Sequence, residues 1–314
     1  MFTPVHFPSV CIECRERSNI LESTLLSSDS ISPSSAPSLS ASLRKMRNIY
    51  APRIGLQDAN IQIFSDTLKY IHEHRLSPFQ IKLYLRDSSS LESSSFEFSE
   101  PTKIWVINTT TFQIIKTLLE QGLKPLVLDM ANRSSPGGSV LEGSPAQEET
   151  LCRQSNLYQG LKQAQVNGYY PIPECGGILI KNVTFFRDDN YNFLAHAFQV
   201  DMFASAAYDC NLAHKPDLEK NLSGYDRPDT EAEYEEGTKT KIRIMLKAAK
   251  ANGNDSLILS AFGCGAFKND PIQMSIWYKE VLNEPDFQNA FKVVAFAIQD
   301  IGQGNFQVFK KTFE

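Results

Sequence analysis

The chain has 314 residues, 42% of them hydrophobic, enough for a substantial core in one large domain with extensions or in two smaller ones. Its formal charge of −5 and pI near 5.7 argue against broad electrostatic capture of nucleic acid, so no nucleic-acid partner is expected. No run of 18 apolar residues is present and the first 30 lack the apolar stretch of a secretory signal, so no membrane association and a cytoplasmic location are expected. Delivery to another cell or an organelle by machinery that leaves no N-terminal mark stays open.

Residues 18–45 are dominated by serine with alanine and proline, and such a segment buries too little apolar surface to offset its ordering. The expected organisation is a flexible tail over 1–45 and one folded domain over 46–314. Cys11 and Cys14 are the only closely spaced cysteines, and with His6 alone nearby they do not make a zinc site. No metal and no cofactor are expected, and Cys152, Cys175, Cys210 and Cys264 read as reduced thiols.

Ile61, Phe64, Leu68 and Ile71 recur at helical spacing, which predicts an amphipathic helix over 57–74. A polar loop over 87–95 follows, then a strand over 103–107 and a helix over 110–121 that Gly122 stops. Leu126–Met130 reads as a buried strand running straight into a glycine loop, and 148–164 as one helix. Strands are expected at 178–186 and 197–203, then a variable stretch over 215–236 and a helix over 238–252. A buried strand over 256–261, a helix over 271–283 and a strand over 293–298 complete the series. Strands alternating with helices, two of the strands being continuous apolar runs, predict an α/β sandwich with both sheet faces covered.

Two glycine loops fall at the C-terminal ends of predicted strands, Pro136-Gly137-Gly138-Ser139 and Gly263-Cys264-Gly265, which is where open α/β sheets bind ligands. Either loop alone is most simply a turn. Together they can hold a diphosphate through main-chain N–H groups without net positive charge. Neither fits the dinucleotide fingerprint or the P-loop, so hydride transfer and nucleotide hydrolysis lack their usual signatures. Gln147-Glu148-Glu149 follows the first loop after seven intervening residues. Acids at a helix start are also favoured by the helix dipole. Two adjacent acids facing a cleft, however, do not both ionise freely, and one keeps its proton as a general acid requires.

PGGSVLEGSPAQEETLCRQSNLY closely resembles the signature of the microbial-type poly(ADP-ribose) glycohydrolases, a macrodomain family whose motif reads GGG, several residues, then QEE. The resemblance continues in LILSAFGCGAFKNDP (257–271) and VVAFAIQD (293–300) and covers about residues 46–302. It implies a macrodomain-like three-layer α/β/α sandwich with a mixed central sheet and an N-terminal helical extension. It also implies a monomeric glycosidase-type hydrolase acting on ADP-ribosylated protein or poly(ADP-ribose), with ADP-ribose as product.

Carried over onto this sequence, the resemblance makes Glu149 the general acid that protonates the leaving oxygen at ribose C1″. Glu148 is expected to hold the hydroxyls of that ribose, and Gln147 to fix the pair. Gly137, Gly138 and Ser139 are expected beneath the ribose and diphosphate, with Gly263, Cys264, Gly265 and Ala266 closing over the phosphates. Asn132 is the candidate contact to the terminal ribose and Phe267 a packing contact. For the adenine the candidates are Asp129 or residues near 103–108. One departure stands out: the family's third glycine is Ser139 here, whose side chain either crowds the distal ribose or forces a different φ. A polymer, a single ADP-ribose on a protein side chain (arginine included) and a small ADP-ribosyl compound all remain open as substrates, and a non-catalytic ADP-ribose-binding module is the alternative.

Overall fold

The computed structural model describes residues 53–74, 76, 79–87, 97–211, 224–300 and 302–314. The serine-rich tail, His6, Cys11 and Cys14, nearly all of the expected polar loop and positions 215–223 lie outside the described residues. The elements in chain order are α1 (Arg53–His74), β1 (Gln80–Leu85), β2 (Lys103–Ile107), α2 (Thr111–Glu120), β3 (Pro125–Met130), α3 (Gln147–Gln154), α4 (Leu157–Val166), β4 (Gly176–Arg187) and β5 (Phe193–Ser205). They continue with β6 (Tyr208–Asp209), β7 (Tyr225–Asp226), α5 (Glu231–Asn252), β8 (Ser256–Leu259), α6 (Pro271–Leu282), β9 (Val293–Ala297) and α7 (Asn305–Phe313).

A seven-stranded sheet runs in the order β1-β4-β5-β3-β8-β9-β2. Strands β5, β3, β8, β9 and β2 run parallel, whereas β4 is antiparallel to β5 and β1 to β4, so the sheet is mixed. The continuous apolar runs become its centre: β3, β8 and β9 are buried nearly throughout because both faces are covered. Alternation along these strands divides the core in two. Leu128, Leu257, Leu259, Val294 and Phe296 pack with Ile242, Met245, Met274, Tyr278 and Phe309, from α5, α6 and α7. Val127, Ile258, Val293 and Ala295 pack with Phe64, Phe112, Ile115, Leu151 and Leu161, from α1 to α4. Each such side chain, fully buried, contributes on the order of 1.5–3 kcal/mol. The result is the expected three-layer sandwich, with the N-terminal helix docked on it: Thr67 Oγ1 donates to the Arg153 carbonyl at 2.8 Å and Asn60 Nδ2 to the Gly143 carbonyl at 2.9 Å.

Several boundaries differ from the sequence reading. The single helix expected over 148–164 is two helices, because Asn156 is taken into the edge of β4. Its Oδ1 accepts the Thr184 N–H at 2.7 Å and its own N–H goes to the Thr184 carbonyl at 3.2 Å, while Ser155 bridges Phe185. Strand β1 was not anticipated; it pairs antiparallel with β4 and its short QIKLYL run alternates without being strongly apolar. Helix α7 also went unread, although Phe309 is fully buried in an aromatic group with Phe296 and Tyr278. Helix α5 begins at Glu231 rather than 238, where the Thr230 side chain accepts the Glu233 N–H, and Gly253 (φ 77°) ends it.

Asn156→Ala leaves the buried Thr184 N–H without its acceptor, and the expected cost is about 1–3 kcal/mol. In urea unfolding the midpoint should fall with an unchanged slope; an unchanged midpoint would mean that Asn156 does not hold the break between α3 and α4.

Candidate active site

The parallel strands deliver their C-terminal ends to one rim, and a cleft of about 540 Å³ opens there. Its lining draws on every one of those ends: Thr109 to Phe112 after β2, Met130 to Asn132 from β3, Ala207 after β5, Ser260, Phe262, Gly263 and Gly265 to Phe267 after β8, and Ala297 with Gln299 at β9. Helix α3 adds a wall through Gln147, Glu148, Glu149 and Gln154. The site thus lies where the fold gathers backbone termini from elements far apart in sequence.

Gln147 sets the position of α3. Strand β3 pairs with β5 through Met130 but with β8 only through Val127, so one edge of β3 lacks a strand neighbour beyond that point. The Gln147 amide fills the gap: its Oε1 accepts the Met130 N–H at 2.8 Å and its Nε2 donates to the Leu128 carbonyl at 2.8 Å. A side-chain amide here stands in for a missing strand, and the first turn of α3 is locked to the end of β3.

The next two residues grip the glycine loop. Glu148 Oε2 accepts the Asn132 N–H at 2.8 Å and its Oε1 the Gly137 N–H at 2.9 Å; Glu149 Oε1 accepts the Ser139 N–H at 3.0 Å. Asn132 Oδ1 shapes the same loop by accepting the N–H groups of Ser134 and Ser135 at 2.9 and 2.8 Å. Gly138 lies between the acids, and a Cβ there would sit 2.4 Å from Glu149 Oε1 and 2.9 Å from Glu148 Oε2, at φ +55°. Only glycine fits. Ser139 needs no such freedom: its φ is −97°, so the departure from three glycines forces no strained backbone, and its side chain stands exposed at the cleft.

Of the residues singled out in the sequence, Asn132, Ser139, Gln147, Glu148, Glu149, Gly263, Gly265, Ala266 and Phe267 line this one cleft. Gly137, Gly138 and Cys264 do not. The Gly137 N–H is taken by Glu148, the Gly138 N–H by the Ser135 carbonyl, and the Cys264 N–H by the Ala261 carbonyl, so these three shape their loops from behind. Gly263 (φ +71°) is held by Asn269, which donates to its carbonyl at 3.0 Å and to the Tyr208 carbonyl at 2.8 Å. Asp129 and residues 103–108 do not line the cleft; Asp129 is 0% exposed and lies behind the acids. Sequence reasoning also missed Asp189 in the β4–β5 turn, which lines the cleft while accepting from Thr110 at 2.8 Å, Gln113 at 2.7 Å and Gln154 at 3.2 Å. A lone aspartate in a polar Asp-Asp-Asn turn carries no signal that would single it out. No group of three or more metal-ligating side chains occurs among the described residues, and no described helix is long and apolar enough to cross a membrane.

With the geometry established, comparison with known proteins gives one consistent result. Residues 60–175 match the family model of the microbial-type PARG catalytic domain. The structure of the poly(ADP-ribose) glycohydrolase of Thermomonospora curvata aligns with a TM-score of 0.69 and 25% identity, covering 82% of this chain and 100% of that one. The same enzyme bound to the inhibitor ADP-HPD aligns with a TM-score of 0.67 at 25% identity over the same shares, 82% and 100%. The poly(ADP-ribose) glycohydrolase of Deinococcus radiodurans in complex with ADP-ribose aligns at 0.61 and 26%, covering 74% of this chain and 93% of that one. No curated protein sequence matches the chain. The fold is macrodomain-like, and the family match over residues 60–175 together with the aligned structures supports a PARG-like, glycosidase-type hydrolase.

The charge state of the site follows from its burial. Glu149 is pushed up from the ordinary carboxylate range by desolvation, against the Ser139 N–H and the Arg153 charge, which pull it down. Burial also raises Glu148 well above that range, with Asp129 and Glu149 adding to the effect and the Asn132 and Gly137 N–H groups opposing it. Asp129 is raised by burial and by Glu149, and neither of its oxygens has a hydrogen-bond partner among the described residues. Three carboxyls this close and this dry do not all ionise at neutral pH. The stability their neutral forms contribute is present below the unfolded pKa of about 4 and is lost as pH rises through the raised folded values. Asp129→Asn cannot ionise, so it should gain on wild type as pH rises. The melting-temperature difference is expected to widen between pH 5 and pH 8, reaching about 3 °C or more in favour of the variant. A difference that stays flat across that range would refute the buried neutral carboxyl.

Proposed function

We propose that this PARG-like glycohydrolase releases ADP-ribose from poly(ADP-ribose) or from ADP-ribosylated protein by general acid/base cleavage at ribose C1″, with Glu149 as the acid. The observation that carries the reading is the state of that carboxyl. Glu149 lines the cleft and is 7% exposed, Ser139 holds its Oε1, and its Oε2 has no hydrogen-bond partner among the described residues. Support also comes from structural relatives whose solved forms hold ADP-ribose or ADP-HPD.

In the proposed reaction the C1″–oxygen bond breaks as the Glu149 proton passes to the leaving oxygen, through an oxocarbenium-like transition state. Water then adds its oxygen to C1″ and returns a proton to the Glu149 carboxylate. Asn132 and Glu148 are assigned to the terminal ribose. Both Glu148 oxygens already accept loop N–H groups, so its first task is to hold the loop, and a remaining lone pair is available to a ribose hydroxyl. Ser139 and the Gly263–Ala266 turn are assigned to the diphosphate, and Phe267 to packing against the ligand. The protein is proposed to act as a monomer.

The test is ADP-ribose release by wild type and by Glu149→Ala from poly(ADP-ribose) and, separately, from arginine-mono-ADP-ribosylated protein. Wild type should release product from at least one substrate, and the variant should lose about 10²–10⁴-fold in rate while still binding ADP-ribose. Gly138→Ala should fall to a similar level, since its Cβ displaces Glu149. A fully active Glu149→Ala would reassign the proton donor. Wild type that binds ADP-ribose and releases it from neither substrate would instead be a non-catalytic reader.

A further inference from the structure

Arg153 belongs to the catalytic helix, one turn after Glu149, and nothing in the reaction so far uses it. Its side chain is 0% exposed, yet no acidic partner lies within ion-pair distance of it among the described residues. Each of its nitrogens is nonetheless engaged by a neutral group. Nε donates to the Tyr191 hydroxyl at 2.9 Å, Nη1 to the Ser144 carbonyl at 2.8 Å, and Nη2 to Thr150 Oγ1 at 3.2 Å. Burying a guanidinium without a contact ion pair is costly, and a purely structural position is better filled by an apolar side chain.

The partner side shows the same commitment. Tyr191 lies in the β4–β5 turn at φ +60°, a left-handed conformation that a bulky residue rarely adopts. That conformation accompanies a nearly buried ring whose hydroxyl meets Arg153 and whose face lies 5.4 Å from the guanidinium. The turn is braced from below, because Asp189 ties it to Thr110 and Gln113 at the start of α2 and to Gln154 at the end of α3. On the other side, the Ser144 carbonyl that Nη1 holds begins the Ser144-Pro145-Ala146 segment from which α3 starts.

We propose that Arg153, held by Tyr191, is a positioning residue for the glycohydrolase reaction: it fixes the entry into α3 and places a permanent positive charge beside Glu149. The groups that face Glu149 otherwise are Glu142 from the short turn before α3, Asp129 from β3, and Glu148 with Cys152 on α3 itself. All of these are acidic or neutral. Arg153 therefore offsets part of the rise that burial imposes on Glu149, keeping its proton available for transfer rather than locked.

The inference rests on Glu149 being the acid, so its test reads that carboxyl directly as well as the reaction. Carbon-13 NMR titration of the glutamate carboxyls, with Glu149→Gln to assign the signal, is compared with the pH profile of ADP-ribose release. Arg153→Met should raise the Glu149 midpoint by about one unit or more, and the alkaline limb of the rate profile should move up with it. Arg153→Lys should keep both near wild type, and Tyr191→Phe, which removes one hydroxyl, should shift both upward by less. If Arg153→Met does not fold, the last two variants carry the comparison. A Glu149 midpoint that stays at the wild-type value in Tyr191→Phe and in any folded Arg153→Met overturns the proposal and leaves Arg153 as packing. A shifted midpoint with an unshifted rate limb instead removes Glu149 from the role of acid and leaves the positioning of its charge intact.

Discussion

The Glu148 carboxylate is the contact on which the site depends. Its two oxygens accept the N–H groups of Asn132, ahead of the glycine loop, and of Gly137 within it, so one side chain ties the loop to the end of β3. A loop built from Pro136, Gly137 and Gly138 has few side-chain contacts and a large entropy of disorder. Two main-chain N–H groups donating to one buried acid, each hydrogen bond worth about 0.5–1.5 kcal/mol, offset part of it. The same acid is costly to bury, and the two N–H groups it accepts oppose that cost.

From that contact the geometry propagates. Gln147 fastens α3 to the unpaired edge of β3, Glu148 fastens the loop to α3, and Glu149 accepts the Ser139 N–H with one oxygen while the other has no partner among the described residues. Three consecutive residues thus do three different jobs, which a helix permits because successive side chains point about 100° apart. The second loop is built on other principles. Asn269 holds the Gly263 and Tyr208 carbonyls with one amide nitrogen and accepts the Tyr234 hydroxyl at 2.7 Å with its oxygen. The first loop is held by two buried acids and the second by a side-chain amide.

Much of this was legible in the sequence, for identifiable reasons. Continuous apolar runs at β3, β8 and β9 mark the sheet centre, because strands covered on both faces show no alternation. The two glycine loops declare themselves because each follows such a run. What escaped was decided by partners distant in the chain. The break between α3 and α4 comes from Asn156 bonding to Thr184, 28 positions away, and local helical propensity runs straight through it. Strand β1 is ordered by its pairing with β4, and α7 by its burial against Phe296 and Tyr278. Arg153 and Tyr191, 38 positions apart, form one unit only in three dimensions. The placement of Gly137, Gly138 and Cys264 behind their loops was likewise unreadable, since a spacing says which residues form a turn but not which way its N–H groups point.

The departure at Ser139 shows why position within a motif matters more than its composition. Gly138 is enclosed by two carboxylates and has a positive φ, so any Cβ there collides with the acids themselves. One residue later the backbone has returned to φ −97° and faces the open cleft, where a Cβ meets no such constraint. The loop can therefore exchange its third glycine for serine without moving Glu148 or Glu149, because the contact that Ser139 makes with Glu149 is through its main-chain N–H. The substitution leaves the two acids where they are and changes only the mouth of the cleft, by one small hydroxyl side chain. Any difference in substrate choice between this chain and relatives with three glycines has a physical place to arise there, separate from the acids to which the chemistry is assigned.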